Sequence, residues 1–460
     1  MCQIIISFSV IVSGCKKFVD VGAPSSQLIS ATVFASDNSV KSALSGMYYT
    51  FAVSYSTNLQ LYLAFATGNS ADEYKYNGSD YNAFFTNAIP IDNYTNNIMW
   101  TNFYALIYQA NSAIAGINNS TSGISNAVKV EALAEAKFLR AFCMFYLVNL
   151  WGDVPMPLST DMTVNNSLTR SPKALVYQQI IADLTEAKAS LLADYSFSSS
   201  QRTKPNKYTA AAMLARVYLY TQDWANAEAN ASMVINASTL YGLLSAADMS
   251  GIFYKNNKEA ILQLDAPPSG ISGAGFTSEG QYYNLGSTTA PYYQLTTDLI
   301  NAFEAGDLRL TNWVGKNTYL GTTYYRPGKY KSITTNTTAT GEYCTYLRLA
   351  EQYLIRAEAR AQQNNFSEAA ADINLIRNRA GLVNTAAAAN QSSILLAIEK
   401  ERRVELFGEY GHRFFDLKRT GRADAILAGQ KTGWTANAAL YPIPKTELLN
   451  NTRLTQNPGY

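Results

Sequence analysis

Glu401 and Glu405 lie one helical turn apart among Arg402, Arg403, Arg413 and Asp416, near the end of a 460-residue chain. Paired carboxyl groups are the residue types that a glycosidase uses as acid and nucleophile. The arginines argue against that chemistry. Each guanidinium lowers the pKa of an adjacent carboxyl and so removes the protonated acid that glycoside cleavage needs. The pattern instead predicts ion pairs that lock the last long helix to the turn after it. His412, the single histidine, lies in that turn and is expected to be a hydrogen-bonded structural residue, not a base. One imidazole also argues against HExxH zinc sites and facial triads, and so against metal-dependent hydrolysis. Asp72-Glu73 is a further carboxylate pair. Adjacent side chains on an extended loop point to opposite sides, which suits concerted acid-base work poorly, and no motif supports calcium or any other cofactor.

The cysteines carry a different chemistry. Val12-Ser13-Gly14-Cys15 closes an apolar run that begins at Ile4, and it resembles the lipobox at which bacterial lipoproteins are cleaved and acylated. The run is too short to span a hydrocarbon core of about 30 Å, so it reads as a processed signal with Cys15 as the lipidation site. Met1-Cys2-Gln3 lacks the Lys or Arg of a signal n-region, so the true start is expected upstream. Cys2 would leave with the signal, and only Cys143 and Cys344 remain to pair, from segments whose contact sequence does not reveal. No disulfide framework follows.

Charged residues make up 15% of the chain and the formal net charge is +2. The charged share is well under the ~25% of ordinary soluble domains, so the surface owes its polarity to Asn, Ser, Thr and Gln. A sparse, balanced surface has no field with which to gather phosphates. It argues against nucleic acid and suits a neutral, hydroxyl-rich ligand. The 32 tyrosines add rings with an apolar face and a polar tip, many of them expected at helix interfaces.

The elements that must position these residues are mainly helical and repetitive. From Thr209, read as a cap, to Tyr220, apolar residues recur at helical spacing, and a second helix follows the turn at Thr221-Gln222-Asp223. Leu214, Ala215, Tyr218, Ala227, Ala231 and Val234 fall on the alternating large and small positions of a tetratricopeptide unit. Ala357, Ala369, Ile373 and Ile376 repeat that register, with Asn365-Phe-Ser-Glu368 read as a capping box. Glu131 to Leu150 with Pro172 to Leu192 form another pair, Ser171-Pro172 setting cap and first turn. Helix pairs are thus expected near 131–192, 209–237 and 346–380, stacked as a solenoid. Trp100, Tyr104, Ile107 and Asn111 keep helical spacing and read as core. Two irregular insertions, near 54–99 and 266–346, carry tyrosines among Asn, Ser and Gly, with short strands expected around Glu259 to Asp265 and Tyr319 to Lys331. The division expected is a signal peptide over 1–14, a lipidated tether over 15–32 and a single domain over 33–460.

Glu401-Arg402-Arg403-Val-Glu405 through Gly411-His412-Arg413-Phe-Phe415-Asp416-Leu417-Lys418-Arg419-Thr-Gly421 resembles the signature of the SusD/RagB family. Tyr441-Pro-Ile-Pro444 and Gln456-Asn-Pro-Gly-Tyr460 are similar to its usual ending, Ala134 to Arg140 with Trp151-Gly152-Asp153-Val-Pro155 to its first repeat, and Ser70-Ala-Asp72-Glu73 to a motif upstream. The resemblance implies a helical-repeat scaffold with loop insertions and few strands. It also implies a non-enzymatic lipoprotein on the exterior of a Gram-negative outer membrane, which captures a glycan and passes it to a TonB-dependent, SusC-like transporter. A periplasm-facing scaffold lipoprotein and, less so, a glycoside hydrolase are the alternatives. Sugars stack their C–H faces on rings while their hydroxyls seek amides, so the glycan-binding candidates are Tyr74, Tyr76, Tyr81, Tyr94, Asn97, Tyr282, Tyr283, Tyr292 and Tyr293, with Asn77 nearby.

Overall fold

Asn93, Ser125, Asn206 and Asp223 each turn a side-chain oxygen onto the backbone N–H three residues ahead, and a long helix begins at each. The computed structural model describes residues 33–52, 59–76, 78, 81–121, 123–265, 273–284, 290–386 and 389–460. The expectations for Cys15, the signal, the tether and Asn77 lie outside these residues. The principal helices are α1 (Asp37–Ala52), α2 (Leu59–Ser70), α3 (Tyr94–Asn119), α4 (Asn126–Trp151), α5 (Lys173–Ser190), α6 (Lys207–Tyr220) and α7 (Trp224–Ile235). They continue as α8 (Leu349–Gln362), α9 (Phe366–Arg379), α10 (Gln391–Glu405) and α11 (His412–Arg419). None of the described helices is long and apolar enough to cross a membrane.

These helices stack in chain order, α3 on α4, α4 on α5, α5 on α6, α6 on α7, and α8 on both α9 and α10. The three expected pairs are α4 with α5, α6 with α7 and α8 with α9. Helix α7 packs directly on α8 although the whole 236–348 segment intervenes, so that segment is looped out of a continuous stack. Ala215, Ala227 and Ala231 meet Ile355 and Ala359 there, small side chains that let the helix axes approach.

Local details differ from expectation in three places. Asn206, not Thr209, caps α6, accepting from the Thr209 N–H at 2.8 Å. Pro172, not Ser171, stands at the N-cap of α5 and makes no side-chain bond; the N–H of Lys173 donates instead to the Asp153 carboxylate at 2.8 Å. Asn365 makes no side-chain cap bond, and the capping box forms at Asn390 and Ser393 ahead of α10. The described part of the first insertion is also more helical than its composition implied. Nearly every residue of α2 is buried, and a helix buried on all sides shows no amphipathic stripe.

Among the described residues six strands form three antiparallel ribbons: β1 (Tyr74–Tyr76) with β3 (Tyr293–Leu295), β2 (Ala260–Leu264) with β6 (Cys344–Arg348), and β4 (Val314–Tyr319) with β5 (Thr322–Pro327). Cys143 and Cys344 are buried and unpaired.

Candidate functional site

The β1–β3 ribbon joins the two insertions, setting Tyr76 opposite Tyr293 and Tyr74 opposite Leu295. Beyond it, Thr296 donates its N–H to the Glu73 carbonyl and its hydroxyl to the Asp72 carbonyl, at 2.9 and 2.6 Å. The joint sorts the candidate tyrosines by depth. Tyr74, Tyr81, Tyr283 and Tyr293 are buried. Tyr293 stacks on Phe65 with ring centroids 3.7 Å apart, Tyr81 meets Phe65 edge-on, and the hydroxyls of Tyr74 and Tyr283 share a hydrogen bond of 3.2 Å. These four brace the face from beneath and offer no open ring to a ligand, which corrects their assignment as stacking platforms.

The open rings are Tyr94, Tyr282 and Tyr292, which are 61%, 42% and 53% exposed. Half-buried Tyr76 lies nearly parallel to Tyr292, centroids 6.2 Å apart, and joins it to the buried layer. Tyr62, half-buried, completes the group. Burial raises its phenol pKa, and the phenols of Tyr94 and Tyr282 lie close enough to raise it further. Asn97 is half-buried and accepts a hydrogen bond of 2.7 Å from the Thr446 hydroxyl. The β4–β5 ribbon packs beside β3 and brings Asn317 opposite Tyr324. Arg326 lies two residues on and donates to the Asn317 amide oxygen at 3.0 Å and to Asn284. Tyr62, Asn317, Tyr324 and Arg326 were missed as candidates. The Thr-Thr-Tyr-Tyr run of β5 was the available strand signal, but its position beside β3 was not in the sequence.

The signature carboxylates form a separate, buried lattice. Fully buried Arg309 donates to Glu401 at 2.6 Å and Glu405 at 3.0 Å, and pairs with Asp307 at 2.8 Å. Arg348 reaches Glu405 at 2.6 Å and Glu409 at 2.8 Å, while Arg379 pairs with Glu259 at 2.6 Å and also with Glu405. Arg402 holds Asp416 at 2.7 Å, tying α10 to α11 as expected. Burial pushes the Glu405 carboxyl up, but Arg379, Arg348 and Arg309 outweigh it and hold it well below the usual range. Glu401 departs from the expected lowering: burial wins over Arg309, and its pKa is raised. Burial and the surrounding cations press His412 well below its ordinary value, so it is neutral.

Asp72 and Glu73 also diverge. Burial raises Asp72, yet Arg413 and Arg403, each 2.7 Å away, bring it below its ordinary value. Glu73, buried beside that charge, is pushed up to about 8. Among the described residues no group of three or more His, Cys, Asp or Glu side chains is placed to hold a metal.

Fold and site define a helical-repeat protein that carries an aromatic face on its insertions. The chain belongs to the SusD family: residues 274–460 match the SusD family model, and residues 17–219 match a family described as starch-binding associating with the outer membrane. SusD-like protein P2 of Formosa agariphila is 30% identical over 423 residues, covering 80% of this chain and 81% of the relative. A solved SusD superfamily protein from Bacteroides vulgatus superposes with a TM-score of 0.80 at 22% identity, over 93% of this chain and 100% of that one. A laminarin-binding SusD-like protein superposes with a TM-score of 0.73 at 25% identity, again over 93% and 100%.

Proposed function

We propose that this protein captures a glycan on the exterior of a Gram-negative outer membrane, anchored by lipid on Cys15, and delivers it to a TonB-dependent, SusC-like transporter. The open tyrosine group is the observation that carries the reading. Tyr94, Tyr282 and Tyr292 are open rings and Tyr76 lies against Tyr292, while the β4–β5 ribbon packed on β3 adds the Asn317 amide, the two group types that pyranose C–H faces and hydroxyls require. The starch-binding description of one matching family and the laminarin-binding relative support the ligand class. A non-catalytic role agrees with the carboxylates: Glu405 and Asp72 are engaged by arginines, while Glu401 is buried against Arg309.

The test is a glycan-array screen followed by calorimetry on the best ligand, with the same oligosaccharide incubated with pure protein and its length followed. Saturable binding without shortened products is expected. Cleavage would return the hydrolase reading, and no binding to any glycan would reject the capture role.

A further inference from the structure

Three segments singled out in the sequence meet around one cleft that the tyrosine face does not use. Gly152-Asp153, Lys418-Arg419 and Asn457-Pro458 line a cleft of 670 Å³. Arg170 clamps these segments together through neutral acceptors, donating to the carbonyls of Asp153 at 2.7 Å and Thr455 at 3.0 Å, and to the Asn457 amide. Lys418 donates to the Asn149 carbonyl and lies 4.8 Å from the Phe414 ring centroid. Among the described residues neither Lys418, Lys173 nor Arg170 has a carboxylate at ion-pair distance, whereas Arg419 is neutralised by Asp416 and Glu358. Of the carboxylates on the cleft wall outside the Arg419 pairs, Asp153 accepts the Lys173 backbone N–H and its charge reaches Lys173 and Arg170, and Asp424 accepts from the Trp434 indole, each bond at 2.8 Å, so among the described residues Lys418 is the cation left without one. Burial and the charge of Lys173 push the Lys418 ammonium well below its ordinary pKa, as happens when a cation is desolvated with nothing opposite it.

The cleft does not end there. At Gln222 and Arg419 it adjoins a second cleft of 480 Å³ lined by Trp224, Leu395 and Leu396, the last 50% exposed. Arg402 also borders this second cleft, and its Nη1 is buried without a partner. Cations at one end and apolar side chains at the other, where Glu358, Glu399 and Asp416 are each ion-paired with arginines, make an elongated groove. Phe415 in its wall is only 2% exposed and offers no open ring face to the cationic end.

We propose that this groove binds an extended acidic peptide segment of a partner protein, seating a carboxylate between Lys418 and Lys173 and an apolar side chain against Trp224, Leu395 and Leu396. Charge complementarity decides the occupant: a carboxylate supplies the counter-charge that Lys418 lacks and accepts its spare N–H groups. The site shares no residue with the tyrosine face and takes a different ligand, so it stands or falls apart from glycan capture.

The experiment titrates full-length Cys15→Ala protein with a fluorescein-labelled peptide ending in Leu-Asp-Glu, and with its Leu-Asn-Gln amide counterpart. The acidic peptide is expected to bind, more weakly as salt rises, and the neutral one not to bind. Lys418→Met and Lys173→Gln should each weaken binding about tenfold or more, the loss of a charge-assisted contact. Lys173 is exposed on the cleft rim, so its variant keeps the fold whatever Lys418→Met does. Equal binding of both peptides, undiminished binding by Lys173→Gln, or preference for an oligoglucuronate over the acidic peptide would each overturn the proposal.

Discussion

Tyr74 and Tyr76 share one face of β1, yet the first is fully buried and the second is half-buried at the rim. Depth, not residue type, separates scaffold from ligand surface, and the two roles give opposite experimental signatures. Tyr292→Ala and Tyr94→Ala are expected to cost roughly 2 kcal/mol of glycan affinity by calorimetry while leaving the thermal melt in place. Tyr74→Ala or Tyr293→Ala should instead destabilise the fold by about 3–5 kcal/mol in urea unfolding, as large aromatic deletions in a core do. Glu73 makes a second residue-scale test. With its native pKa at about 8 against an ordinary 4.5, the folded chain holds one proton more than the unfolded chain between those values. Its contribution to stability is therefore full below the lower value and is lost as pH rises toward the upper one. Glu73→Gln removes that loss, so the melting temperature of the variant relative to the parent should climb from pH 5 to pH 8. A difference independent of pH would mean that Glu73 titrates as an ordinary carboxylate.

At the scale of elements, the repeats were legible because α7 buries one stripe, at Ala227, Asn230, Ala231 and Val234, and because the alternation of small and large residues survives in α6 although that helix is buried almost throughout. Helix α2 was not, since Leu59 to Ser70 is enclosed on nearly all sides and its periodicity is erased. The signature helix was read correctly as an ion-paired element, but Arg309 was not foreseen, because it reaches Glu401 and Glu405 from a distant short helix, Leu308–Trp313. The candidate tyrosines were found as segments and not as individuals. Which ones face outward is set by pairing of β1 with β3, a contact between distant parts of the chain that local pattern does not encode. Two substitutions test these elements. Asn206→Ala removes the acceptor for both the N–H and the hydroxyl of Thr209, at 2.8 and 3.0 Å, and should cost about 1–2 kcal/mol in chemical denaturation. Arg309→Met strips the cation from three buried carboxylates and should cost about 3–5 kcal/mol by the same measurement, the penalty of leaving buried charge unpaired. A loss under 1 kcal/mol would mean that the lattice relaxes around the gap.

For the whole molecule, attachment to a membrane in the proposed function rests on Cys15, since no described helix is built to span one. Acyl chains contribute roughly 0.8 kcal/mol per buried methylene, so one chain holds a protein only reversibly and several hold it firmly. A segment as long as Cys15 to Thr32 reaches at most about 60 Å when fully extended, so the proposed anchor would let the domain sit over the mouth of the proposed barrel with the lipid in the leaflet beside it. Anchor and partner are then separable by experiment. Cys15→Ala should abolish globomycin-sensitive processing and move the protein out of the membrane fraction. The parent, extracted in mild detergent, should bring a TonB-dependent barrel with it. A Cys15→Ala protein that still fractionates with the outer membrane would refute the lipid anchor, whereas a parent that is anchored but emerges without a barrel would leave the anchor standing and reject delivery to a transporter.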